Sequence, residues 1–125
     1  MKFTEHRDSN INTVKHYEAG CVRINGDDYQ HSLYLTHTER FPEWGCHDIE
    51  QLNIEDLTPI LALKPEVIIL GTGEQQTFPE PKLFAHCSAH GIGLEVMAND
   101  AACRTYNILT TEDRDVVLAL IMPNN

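Results

Sequence analysis

Apolar residues are spaced in two ways along the chain. In "EVIILG", "IGLEVM" and "RDVVLALIM" they run together over Val67–Leu70, Ile92–Met97 and Val116–Met122. Strands covered on both faces look like this, as in parallel sheets flanked by helices. In "YEAGCVRINGDDYQHSLYLT" they alternate instead. Cys21, Val22 and Ile24 precede the turn signal Asn25-Gly26-Asp27, and Tyr29, Leu33 and Leu35 follow it, which predicts a β-hairpin. Helical stretches separate the buried strands. "NIEDLTPILALKPE" predicts a short helix with Thr58 as the candidate N-cap and Pro59 at its first position, ended by Pro65. "PKLFAHCSAHG" predicts a helix over residues 81–90 with Gly91 as C-cap. "NDAACRTYNILTTE" predicts a third, beginning near Ala101 behind the N-cap residues Asn99 and Asp100. Residues up to about Lys15 are polar and aperiodic and are expected to form a loose arm. The segment around Pro42 and Gly45 is loop-like; Trp44 is expected to enter the core, and residues 44–49 leave room for a short strand.

The order is hairpin, helix, strand, helix, strand, helix, strand. It implies an α/β fold with a mostly parallel sheet, right-handed crossovers and an added antiparallel hairpin. With 125 residues, a single domain over 1–125 is expected. Charge narrows the partners: the formal net charge of -10 opposes binding to nucleic acid and to anionic membranes. The start "MKFTEHRDSNINTVKHY" has no apolar h-region and is poor in arginine, and no apolar run approaches the roughly 20 residues that span a bilayer. The expectation is a cytoplasmic protein with no direct membrane insertion, its four cysteines (Cys21, Cys46, Cys87 and Cys103) all free.

Three patterns invite a chemical reading. Gly71-Thr72-Gly73 follows a buried strand, where open α/β sheets place ligands. However, Gln76 stands where a dinucleotide fingerprint needs its third glycine, and the P-loop lysine is missing. His86 and His90 lie one helical turn apart with Cys87 between them, and Cys46-His47 is a second donor cluster. No complete ligand set is visible, so no metal and no cofactor is expected. Cys103 has no histidine near it in sequence to serve as base, so no catalytic residue is assigned.

The segment "AACRTYN" is denser in polar groups. On a helix, Ala102, Tyr106 and Leu109 share one face and Ala101, Thr105 and Ile108 the adjoining one, both read as core-facing, with Cys103 and Asn107 beside them. Tyr106 should hydrogen-bond, because a buried phenol is otherwise unpaired. Arg104 lies in the first turn, where the helix dipole disfavours a cation. It therefore calls for a carboxylate, with Glu74, Glu95 and Asp100 the candidates, or for a bound anion.

These strings carry a resemblance. Gly26-Asp27-Asp28-Tyr29, Trp44, Leu57-Thr58-Pro59, Leu70-Gly71-Thr72-Gly73, Phe78-Pro79 and Ala102-Cys103-Arg104-Thr105-Tyr106-Asn107 span about Tyr17 to Leu120. On these the chain is identified as a member of a family of small domains of unknown function. That family includes mitochondrial complex I assembly factor 3 and adipogenesis-associated domain proteins, and this chain resembles its bacterial type. The resemblance implies a three-layer α/β domain with a central mixed sheet and no established enzyme activity. It departs from the family at Asn99-Asp100, before the alanines, and at Asp113, where the family often has glycine. Two functions stay open. One is a non-enzymatic interaction protein, with an unidentified protein partner, assisting assembly of a respiratory or membrane complex. The other is a small-molecule or anion-binding domain, or an enzyme, with a cleft formed by Gly71, Thr72, Gly73, Cys103, Arg104, Thr105 and Tyr106. The oligomeric state is open in both.

Overall fold

The computed structural model describes residues 11–123. The first sheet is antiparallel, in the order β1-β2-β3: β1 (Val14–Glu18), β2 (Cys21–Ile24) and β3 (Asp27–Tyr29). The second has five strands: β4 (Leu33–Leu35), β5 (Arg40–Phe41), β6 (Val67–Gly71), β7 (Gly93–Met97) and β8 (Val116–Leu120). Their spatial order is β5-β4-β8-β6-β7. β6 lies at the centre of the parallel part, with Ile68 opposite both Leu94 and Val117. β4 runs antiparallel to β8, with Tyr34 opposite Ala119. The helices are α1 (Ile54–Leu61), α2 (Pro81–Ala89) and α3 (Asn99–Thr111).

Alternate residues of the five-stranded sheet feed two cores, as the period of two in a strand requires. Ile68, Leu70, Val117 and Ala119 pack with Trp44, Leu57, Ile60, Leu83 and Cys87, on the side of α1 and α2. Ile69, Val116, Leu118 and Leu120 pack with Val22, Ile24, Ala102, Cys103 and Tyr106, on the side of α3 and the small sheet. The molecule is thus a three-layer α/β fold with a mixed central sheet.

Several local boundaries differ from the sequence expectation. Of the arm expected up to about Lys15, residues 1–10 lie outside the described residues. The rest is structured: Asn12 is buried and Val14 opens β1. The hairpin exists at Asn25-Gly26, where Asn25 takes a positive φ of 54°. Its second strand, however, ends at Tyr29, and Leu33–Leu35 cross into the other sheet as β4. α1 starts a turn before Thr58. The Asn53 side chain accepts from Asp56 N and the Asp56 carboxylate accepts from Asn53 N, each at 3.0 Å, a reciprocal capping box. Pro59 therefore sits inside the helix. The segment 44–49 forms no strand; β5 precedes it and a 3₁₀ turn over Ile49–Gln51 follows. Trp44 is buried, its indole N–H donating to the Asp56 carbonyl at 3.0 Å. α3 begins at Asn99, behind Ala98. β8 stops at Leu120; Met122 leaves the ladder to bond Ser32 Oγ.

Candidate functional site

The C-terminal ends of β6 and β7 form the place where the chain turns to opposite faces, since β6 leads to α2 and β7 to α3. Gly71 ends β6 against the start of α3. A Cβ built there would lie 2.3 Å from Asn99 Oδ1 and 2.7 Å from Leu120 Cδ2, so only glycine fits this approach. The released chain then needs the positive φ of 111° at Gly73. The Thr72 hydroxyl is buried in the turn it helps to close, donating to the Gln75 carbonyl at 2.7 Å.

Asn99 is the centre of this arrangement. Its Oδ1 accepts from Gly73 N at 3.0 Å, and its amide donates to the Ile121 carbonyl at 3.1 Å and to Tyr17 Oη at 3.0 Å. Tyr17, from β1, in turn donates to Glu74 Oε2 at 2.5 Å. Burial, and then the hydrogen bond to Glu74, pushes the Tyr17 hydroxyl above its ordinary range. The space between the Gly71-Thr72-Gly73 loop and the helix start is therefore occupied by Tyr17 and Asn99.

The segment expected to line a cleft is consumed by the fold. Cys103 is 4% exposed in the second core, and burial pushes its thiol up to about 12, with Asp100 adding to the rise. Tyr106 is fully buried, and its hydroxyl is placed to donate to the carbonyls of Asn12 (2.9 Å) and Thr36 (3.2 Å). Thr105 Oγ1 donates to Met97 Sδ at 3.3 Å. Arg104 points outward, its side chain 70% exposed, and meets Asp100 at 3.7 Å. Of the three carboxylates considered for it, this is the one found. The face read as Ala101, Thr105 and Ile108 is not a core face, since Ile108 is 59% exposed: α3 turns its Ala102–Tyr106 stripe inward, and Cys103 joins that stripe. Asn107 instead pairs with β1, accepting from Val14 N at 3.0 Å and donating to Val14 O at 2.9 Å.

A surface pocket of about 480 Å³ adjoins the loop, lined by His47, Asp48, Thr72, Gly73, Glu74 and Ile121 among others. No lysine or arginine is among the described residues lining it. Neither Cys103 nor Arg104 reaches it. His86 and His90 stack edge-on at 4.8 Å, and His90 Nδ1 lies 2.9 Å from the His86 carbonyl. Among the described residues no group of three or more His, Cys, Asp or Glu side chains is placed to hold a metal ion. Asn99 and Tyr17 were missed in the sequence reading. Asn99 passed for a cap, and the sequence carries no sign that Tyr17, 82 positions earlier, meets it.

The fold and this closed loop–helix junction define a small α/β domain of three layers, its strand ends sealed by side-chain amide and phenol groups. The chain belongs to the family described as protein of unknown function (DUF498/DUF598), whose model matches residues 14–121. It is 35% identical over 108 residues to a 13 kDa major membrane protein of Francisella tularensis, covering 86% of this chain and 88% of that one. It is 30% identical over 112 residues to NADH dehydrogenase [ubiquinone] 1 alpha subcomplex assembly factor 3 of Xenopus tropicalis, covering 88% of this chain and 61% of the relative. The chain thus spans about three fifths of that assembly factor's length. A crystal structure of a Bordetella parapertussis protein matches with a TM-score of 0.84 and 32% identity, over 91% of this chain and 97% of that one. Among the described residues no helix is long and apolar enough to cross a membrane.

Proposed function

We propose that the domain is a non-enzymatic docking protein that assists assembly of a respiratory or other membrane complex. The observation that carries this reading is the fate of "AACRTYN". Its reactive groups are spent on packing and internal hydrogen bonds, with the Cys103 thiol held far from its reactive form. The kinship with assembly factor 3 supplies the assembly part of the reading, and that warrant is by analogy.

Affinity capture of the tagged full chain from its native cell, after mild cross-linking, tests the proposal. The expected result is reproducible recovery of subunits of one membrane-bound complex. Recovery of no protein above an unrelated acidic control would overturn it. The anion-binding alternative finds no support in the pocket beside Gly73, whose charged groups are the carboxylates Asp48 and Glu74.

A further inference from the structure

The five-stranded sheet ends on one side in β5, which has two residues, and on the other in β7, which has five in unbroken register with β6. Gly93 N donates to the Glu66 carbonyl at 3.1 Å, and the Met97 carbonyl accepts from Thr72 N at 3.0 Å. The backbone of the odd-numbered residues of β7 therefore faces β6. Alternation turns the N–H and C=O groups of Leu94 and Val96 outward. The Gln76 side chain, exposed on the loop after β6, donates to one of these, the Val96 carbonyl, at 3.0 Å. It stands where the backbone donor of a further strand would lie. Among the described residues nothing bonds the other three groups, Leu94 N, Leu94 O and Val96 N.

Open edges are ordinarily blunted by bulges, prolines or lysines. β7 has none of these. The residues beside it are apolar and exposed instead. Phe78 (66%) and Ile108 (59%) are the two most exposed large apolar side chains among the described residues. Phe78 lies two positions beyond Gln76, on the way into α2 on one face of the sheet. Ile108 lies one turn beyond Thr105, whose hydroxyl meets Met97 of β7, in the helix on the other face. A strand added to β7 turns its side chains alternately to the two faces, so apolar residues on it are offered a neighbour on each. Glu95, at the middle of β7, is exposed and in no ion pair among the described residues. A second copy of this chain paired antiparallel along β7 sets Glu95 beside its own counterpart, like charges on one face. It also brings the same net charge of -10. The position opposite Glu95 calls for a cation.

We infer that β7 receives an extended apolar strand of a partner protein, with a lysine or arginine opposite Glu95 and its backbone bonded to Leu94 and Val96. The inference rests on the docking reading above and names the chemistry of the partner. The probe is a short, end-blocked synthetic peptide that alternates valine with threonine and carries lysine at its centre. It is titrated into the isotopically labelled full-length protein, and backbone amides are followed by NMR. Its comparators carry glutamate for the lysine, or proline for the valines.

The expected result is saturable shifts centred on Leu94 and Val96, with the exchange of both amides slowed about tenfold or more at saturation. The lysine peptide should bind several-fold more tightly than the glutamate peptide, and Glu95→Lys should reverse that order. A Phe78→Ser, Ile108→Ser double variant should melt like the parent, because both positions are exposed, and should bind about tenfold more weakly. The proline peptide should not bind. Unprotected Leu94 and Val96 amides overturn the inference, as does equal binding of the proline peptide, an order that Glu95→Lys leaves unchanged, or unaltered binding by the double variant. A dimer of the parent in sedimentation that the double variant loses assigns the edge to a second copy and overturns it too. If native-cell partners are captured equally by parent and double variant, the edge inference fails and the docking reading stands. If the parent captures none, the docking reading itself fails.

Discussion

Tyr106 is where one side chain matters most to the fold. It is fully buried and joins α3 to the carbonyls of Asn12 and Thr36. Tyr106→Ala should therefore destabilise by about 3–5 kcal/mol in urea melts, the range for large aromatic truncations. Arg104→Ala two residues earlier should cost no more than about 1 kcal/mol, because its pair with Asp100 is exposed. Gly71→Ala should destabilise by about 1–3 kcal/mol through overpacking. Removing the Asn99 side chain as well takes away one of the two atoms the new methyl meets. The double variant should fall short of the summed losses by about 0.5 kcal/mol or more, and strict additivity would contradict the close approach described here. The inward direction of Ala102 and Tyr106 was legible from helical spacing. The role of Asn99 was not, since an asparagine at a helix start reads as a cap whether or not it caps. The burial of Cys103 was equally hidden, because α3 is bonded to β1 through Asn99 with Tyr17 and Asn107 with Val14, residues that no local pattern connects.

At the level of elements, two helix ends share one device. After α2, Gly91 N bonds the Ser88 carbonyl and Ile92 N the Cys87 carbonyl, with Gly91 at φ 74°. After α3, Asp113 N bonds the Thr110 carbonyl and Arg114 N the Leu109 carbonyl, with Asp113 at φ 60°. Both are Schellman ends, and the second places a residue with a side chain in the left-handed position. Gly91→Ala should lower stability by about 1 kcal/mol, whereas Asp113→Gly should raise it by about 0.5 kcal/mol. Thermal melts of the two variants should move in opposite directions. The Gly91 end was legible in the sequence; so were the three buried strands, because apolar runs flanked by turn residues leave few alternatives. The split after Tyr29 was not, since alternation continues through Leu33 and Leu35 whichever sheet receives them. The start of α1 was misread because Thr58-Pro59 imitates a helix start more loudly than Asn53 with Asp56.

For the whole molecule, burial acts in one direction on several acids. It holds the Tyr17 and Tyr106 hydroxyls above their ordinary 10.0, and the Cys46 and Cys103 thiols at about 11 and about 12 against 9.0. The folded state keeps protons that the unfolded chain releases. Their contribution to stability is therefore full below pH 9 and lost as pH rises through the interval to 12. Urea midpoints should be flat near neutrality and fall steeply across that interval; a rise would reverse the sign. The same burial predicts thiol kinetics. All four cysteines are unpaired, with Cys21 partly exposed and Cys46, Cys87 and Cys103 buried. A thiol reagent should modify one group quickly in the native protein and four after unfolding, and a total below four would point to a disulfide.

Asn107 gives β1 its partner from the far end of the chain, gripping Val14 by both backbone groups across 93 positions. The ribosome delivers the small sheet well before its clasp. Until α3 emerges, Val14, Val22 and Ile24 have no lid, and the nascent chain carries a sticky, half-finished leaflet. The small sheet is therefore completed by a contact between segments far apart in sequence, the kind of pairing that forms late in folding.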